Sequence, residues 1–244
     1  MTSTRYGVFL RPDPATCWAI TQITLALRQQ FGLTAAAAFA PHATLIGNLQ
    51  SSIDEPELVN LLDSVFAKVA PTPVYNQGIR RTVHGTFEYD INLAADGAGP
   101  NEELDRIAGA VKQALEPIHE PHEDSHAPNV QDYQFAAHLG LASFELREDN
   151  RLSDEVGEFI AGLPISPPAS FVARWYTLFR FSADWNGPWW EAMPWHHVRS
   201  WDAAKNKGSY LLNFGALVEA RRIPANVGRS GSSAAPMRPT LGPA

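Results

Sequence analysis

Pro41-His42-Ala43-Thr44-Leu45-Ile46-Gly47 is the stretch whose reading decides the fold. A proline closes the segment before it, and the residues after it alternate with period two. His42 and Thr44 therefore leave one face of a strand while Ala43 and Leu45 leave the other. The apolar face belongs in a core. The polar face then carries an imidazole and a hydroxyl pointing the same way, a pair able to hold a phosphate oxygen and move a proton. The alternative is a strand whose polar face meets solvent.

A second run of the same kind, Phe135-Ala136-Ala137-His138-Leu139-Gly140-Leu141-Ala142-Ser143-Phe144, lies about a hundred residues further on. It again sets a histidine on one face and leucines on the other. Each run follows a helix-like segment, so the chain reads as two similar lobes, each presenting one histidine from a strand. Two His-x-Ser/Thr motifs at this separation resemble the two-histidine phosphoesterase superfamily, which includes the bacterial 2′-5′ RNA ligases and the cyclic nucleotide phosphodiesterases. The opening strand Tyr6-Gly7-Val8-Phe9-Leu10 and the run from Phe39 to Leu45 are the most family-like parts, and the resemblance spans roughly residues 5 to 182. It implies that His42 and His138 form an acid–base pair, in which the sequence does not say which is the base, and that Thr44 holds a phosphate oxygen. Gly140 departs from the pattern, because it stands where a Ser or Thr is expected.

Composition limits the alternatives. The chain has 244 residues with 45% hydrophobic content and 7 tryptophans, ample for a packed core. It has no apolar run long enough to span a bilayer and no signal-peptide core after Met1, so a soluble, cytoplasmic protein without membrane attachment is the expectation. A formal charge of −7 argues against stable binding of long nucleic acid, which needs a basic stripe. Phosphate chemistry should fall on a small nucleotide or an RNA end. The single Cys17, beside Trp18 and Ile20, reads as a small core residue rather than a nucleophile.

Along the chain, the sequence predicts a strand at Tyr6–Leu10, then a helix from Thr16 to Phe31 with Trp18, Ile20, Ile23, Leu25 and Leu27 as its buried stripe and Gly32 as its stop. A second helix opens at Ser52 or Asp54, a third at Asn101, and another covers residues 153–163. Strict alternation through Val83, Gly85, Phe87, Tyr89, Ile91 and Leu93 predicts one long strand with these residues in the core. The second histidine strand is expected over residues 133–144. Residues 170–181 read as a further long strand, whose face bearing Arg174, Tyr176 and Arg180 is taken as the cleft side, with substrate-binding roles for these three and for Gly140. The tryptophans between Trp185 and Trp201 read as a small closing core.

The whole is an α+β fold in one domain over residues 1–203, two-lobed, each lobe an antiparallel sheet with helices outside and a central cleft carrying the two histidines. Residues 204–244 form an extension with one short helix at 210–222, disordered beyond it on its Gly, Ser and Pro content.

His119, His122 and His126 with Glu120, Glu123 and Asp124 have the residue types of a metal site, but Pro117, Pro121 and Pro128 deny them a common helix face. Hence neither metal nor cofactor is expected. Walker, dinucleotide-binding and nucleophile-elbow motifs are missing, which removes the nucleoside triphosphatase, Rossmann oxidoreductase and serine hydrolase readings. The resulting expectation is a metal-independent phosphoesterase that hydrolyses a cyclic phosphate or 2′-5′ phosphodiester of a small nucleotide or RNA end. The alternatives are a nucleotide-binding sensor with catalysis weakened by Gly140 and a metal-dependent enzyme using the 119–126 loop.

Overall fold

A computed structural model describes residues 3–123, 128–191 and 193–206. The expected short helix at 210–222 and the tail beyond it lie outside the described residues. The elements in order are β1 (Ser3–Arg11), α1 (Pro14–Phe31), β2 (Ala43–Leu49), α2 (Glu55–Phe66), β3 (Thr72–Tyr75), β4 (Ile79–Arg81), β5 (Phe87–Asp90), α3 (Glu102–Leu115), β6 (His138–Ala142), α4 (Phe144–Glu148), α5 (Ser153–Gly162), β7 (Ser170–Ala173), β8 (Trp175–Ala183) and β9 (Trp195–Asp202). They build an α+β fold in which every strand pair is antiparallel.

Local chemistry sets the helix ends. Asp13, Asp54 and Asn101 each stand at an N-cap and accept a backbone N–H from the first turn, and Pro14 and Pro56 occupy positions where a missing N–H costs nothing. Gly32 ends α1 in the left-handed conformation that a side chain disfavours. The cap of α1 is thus Asp13, three residues before the expected Thr16. Trp18 and Leu25 lie on the outer face of α1, 67% and 40% exposed, and Thr16, Ala19 and Thr24 complete the buried stripe instead.

One sheet runs β2-β1-β8-β9, a second β4-β5-β6, and β3 pairs with β7. The main core joins Val8, Leu10, Leu45 and Ile46 to Leu58, Leu62, Leu104, Ile107 and Val111 of α2 and α3, and extends to Leu139 and Leu141 of β6.

Three strand expectations need correction. The long strand through residues 83–93 is broken by a tight turn in which Gly85 takes φ +81° and Val83 is 97% exposed. The second histidine strand is shorter than expected and begins at His138 itself. The strand over 170–181 is two strands in two sheets, with Arg174 at the break.

Candidate active site

His42 immediately precedes β2 and His138 opens β6, so each ring is delivered by the first residues of a strand in a different sheet. Both line one cavity of about 330 Å³, together with Thr44 and Gly140. The local geometry repeats. His42 Nδ1 lies 2.7 Å from the carbonyl oxygen of Ala40, and His138 Nδ1 lies 2.8 Å from that of Ala136, each two residues back along the chain. A carbonyl oxygen only accepts, so Nδ1 carries the proton in both rings. In the neutral tautomer each Nε2 is then a free lone pair turned to chemistry.

The two rings differ in environment. His42 is wedged between Phe9 and Phe39, each with its ring centroid 4.7 Å away. Burial, with a smaller contribution from the charge of His138, pushes its pKa down from 6.5 to about 4. His42 is therefore a neutral base at pH 7. The His138 side chain is 39% exposed, and its Nε2 lies 3.7 Å from Glu88 Oε2, an ion pair whenever the ring is protonated.

Thr44 stands on the cavity wall, and its main-chain carbonyl accepts the Tyr133 hydroxyl at 2.9 Å, which ties β2 to the segment leading into β6. Gly140 lies within β6 and is not at positive φ, and a Cβ built there would meet nothing within 4 Å. The β5–β6 register shifts where Phe87 and Glu88 face Ala142 and Gly140, so Gly140 borders the extra residue, Leu141, on β6 while keeping a φ outside the left-handed region. What the glycine does is keep space open. It lies on the wall between the main cavity and a second cavity of about 160 Å³ lined by Thr82, His84, Thr86, Glu88 and Arg147.

Arg174, Tyr176 and Arg180 are not brought to this cavity. Arg174 pairs with Asp202 through Nη2 and Oδ2 at 2.6 Å, and Arg180 donates to Glu55 at 2.9 Å. Tyr176 is completely buried and stacks on Phe66 of α2 at 5.0 Å. Their face of β8 packs under the helices, and the opposite face, bearing Phe179 and Phe181, joins the aromatic cluster beside the cavity. Alternation identified the two faces correctly, but a face with arginines and a tyrosine is as compatible with a helix-covered rim as with a cleft.

Sequence reasoning missed much of the wall. Phe9, Phe39, Phe144 and Arg147 line the cavity, as do Trp185, Trp189 and Trp190, which also form the small core expected of them. Phe144 and Trp190 lie nearly parallel, 11° apart with centroids at 4.8 Å. The signal available was the phenylalanine next to each histidine run. In the 119–129 loop, residues 124–127 lie outside the described residues; His119 Nε2 meets Asn129 Oδ1 at 2.9 Å, and Asn129 Oδ1 also accepts the main-chain N–H of His122. Among the described residues no group of three metal-ligating side chains converges. The Cys17 thiol, half-buried, donates to Pro12 O at 3.4 Å, and burial raises its pKa, which does not suit a nucleophile. No described helix is long and apolar enough to cross a membrane.

No family model and no curated protein matches the chain. Solved structures do. TT0787 of Thermus thermophilus is similar over 82% of this chain and 98% of its own at 14% identity, with a TM-score of 0.54. A crystal structure described as a phosphoesterase gives 13% identity over 82% and 97% with a TM-score of 0.47. E. coli LigT complexed with 3′-AMP gives 14% identity over 82% and 97% with a TM-score of 0.46. At 14% identity the likeness to TT0787 is a likeness of fold alone.

Proposed function

We propose that the chain is a phosphoesterase that opens a cyclic phosphate, or cleaves a 2′-5′ phosphodiester, of a small nucleotide or RNA end, with His42 and His138 as an acid–base pair that needs no metal. The observation carrying this reading is the pair of imidazoles in one cavity, both with Nδ1 committed to a backbone carbonyl and Nε2 left for the substrate. His42, held neutral, takes a proton from the attacking water as its oxygen bonds to phosphorus. His138 in its charged form gives its Nε2 proton to the departing ribose oxygen as the P–O bond breaks. The rings then return to their starting states by proton exchange with solvent. Each such transfer is worth on the order of 10²–10⁴ in rate. Thr44 offers a hydroxyl to a phosphate oxygen. The aromatic wall of Phe39, Phe144, Trp189 and Trp190 supports a base-bearing substrate, since a nucleobase gains about 1–3 kcal/mol by stacking on such rings.

A second reading, nucleotide binding without turnover, is favoured by the hydroxyl missing at Gly140. A panel of 2′,3′-cyclic nucleotides, cyclic dinucleotides and 2′-5′ oligomers, run with chelator present, separates the two. Turnover that falls at least about a hundredfold in His42→Ala and in His138→Ala supports the enzyme. Binding without turnover by the wild type supports the sensor, and loss of activity to the chelator alone would overturn metal independence.

A further inference from the structure

Glu88 is the cross-strand partner of Gly140, so its side chain leaves the β5–β6 pair on the face where the absent 140 side chain would stand. The carboxylate is buried, with its side chain only 10% exposed, and it is anchored: Arg80 donates to Oε1 through both Nε, at 3.0 Å, and Nη2. That leaves Oε2, which lies 3.7 Å from His138 Nε2. A carboxylate this enclosed has no purpose in merely solubilising a surface. Its position has a consequence for the ring, because Nδ1 of His138 is already spent on Ala136 O and only Nε2 can exchange protons with a ligand.

On the reading of this cavity as a phosphoesterase site, we propose that Glu88 is a positioning residue that holds His138 as the imidazolium and thereby makes it the acid and His42 the base. Several other charges face the ring. Asp90, the register partner of His138, is drawn to Arg80 Nη1 at 3.5 Å. Arg147 and His84 line the second cavity beside it, and His42 lies across the main one. Of these, Glu88 is the carboxylate within 4 Å of Nε2. The asymmetry of the site is then complete. The ring among phenylalanines is kept neutral, with its pKa lowered to about 4 by burial, and the other ring has an anchored carboxylate 3.7 Å from its Nε2.

The test is Glu88→Gln, which keeps an oxygen for Arg80 and removes the charge. An opposite charge at this distance favours the protonated form of an imidazole by about tenfold where the ring is partly exposed. Without the carboxylate, the acid form of His138 is lost at lower pH. The alkaline limb of the rate profile is expected to move down by about one unit, with turnover at pH 8.5 falling about tenfold and at pH 6 by less than about threefold. Glu88→Asp, which keeps the charge but draws it back by one methylene, should give a smaller shift in the same direction and serves if Glu88→Gln does not fold. The His138 ring is also titrated directly by NMR, without substrate. A shifted titration with no turnover in the wild type refutes the phosphoesterase reading and leaves the Glu88–His138 coupling in place. Turnover with an unmoved titration and an unmoved alkaline limb refutes the role of Glu88.

Discussion

If the cavity works as proposed, replacing Gly140 by threonine tests its weakest point, the hold on a phosphate. Thr44 supplies one hydroxyl to the cavity and the matching position supplies none. The structure makes the substitution readable. Gly140 is not at positive φ, and a Cβ there meets no atom within 4 Å, so neither backbone strain nor a clash is introduced. Strand propensity favours threonine over glycine by a fraction of about 1 kcal/mol, so stability should hold or rise. A hydrogen bond from the new hydroxyl to a charged phosphate oxygen contributes about 1.5–3 kcal/mol, or about ten- to a hundredfold in affinity. Because the bond forms in ground and transition states alike, the gain is expected chiefly in KM. The assay is steady-state hydrolysis of a 2′,3′-cyclic nucleotide beside a urea denaturation of the same preparation. A loss of stability would refute the description of residue 140 as an unstrained, open position. Unchanged stability with weaker binding of small substrates would refute the assignment of a phosphate to this side of the cavity, and selective loss of bulky substrates would show that the open space is itself part of the binding site.

The pH dependence of stability should carry the signature of His42. Its pKa is lowered in the fold from 6.5 to about 4, so the unfolded chain binds more protons between those values. Its contribution is fully present above pH 6.5 and is lost as pH falls toward 4, amounting to about 1–3 kcal/mol, and urea midpoints at pH 7.5 and 5 should converge in His42→Gln relative to wild type. Identical pH slopes in the two proteins would remove the effect from His42. The double variant of His42→Ala and His138→Ala should be hardly slower than either single one, since the rings act as a unit, and fully additive losses would contradict concerted acid–base transfer. Glu145 accepts the backbone N–H groups of Thr34 and Ala35 at 2.5 and 2.7 Å, fastening α4 to the segment that carries part of the cavity wall. Glu145→Ala should cost about 2–4 kcal/mol by leaving two donors unmet and should raise KM as the wall loosens; a denaturation midpoint within error of wild type would show that water replaces the carboxylate.

Local patterns carried much of this protein. Period two in Pro41–Leu45 set His42 and Thr44 on one face, and the same rule at His138 and Gly140 set the second motif, before any pairing of strands was known. Asp54 and Asn101 marked helix starts because a cap is a property of four neighbouring residues. In the same way, Gly32 marked a stop. What alternation cannot say is what each face will meet. Phe179 and Tyr176 lie on opposite faces of β8, and only the docking of α2 and α3 decided that the tyrosine face is core and the phenylalanine face turns to the cavity. Val83 and Gly85 fit a strand by composition, and it was the turn between β4 and β5 that put Val83 into solvent. Glu88 read as one more polar residue on an alternating strand. It became a neighbour of His138, fifty residues later in the chain, through the register of β5 against β6 and the grip of Arg80. Residue types and short-range spacing determine which side chains are able to do acid–base chemistry; the charge state in which each one works depends on burial and on partners distant in sequence, and these exist only once the chain has folded.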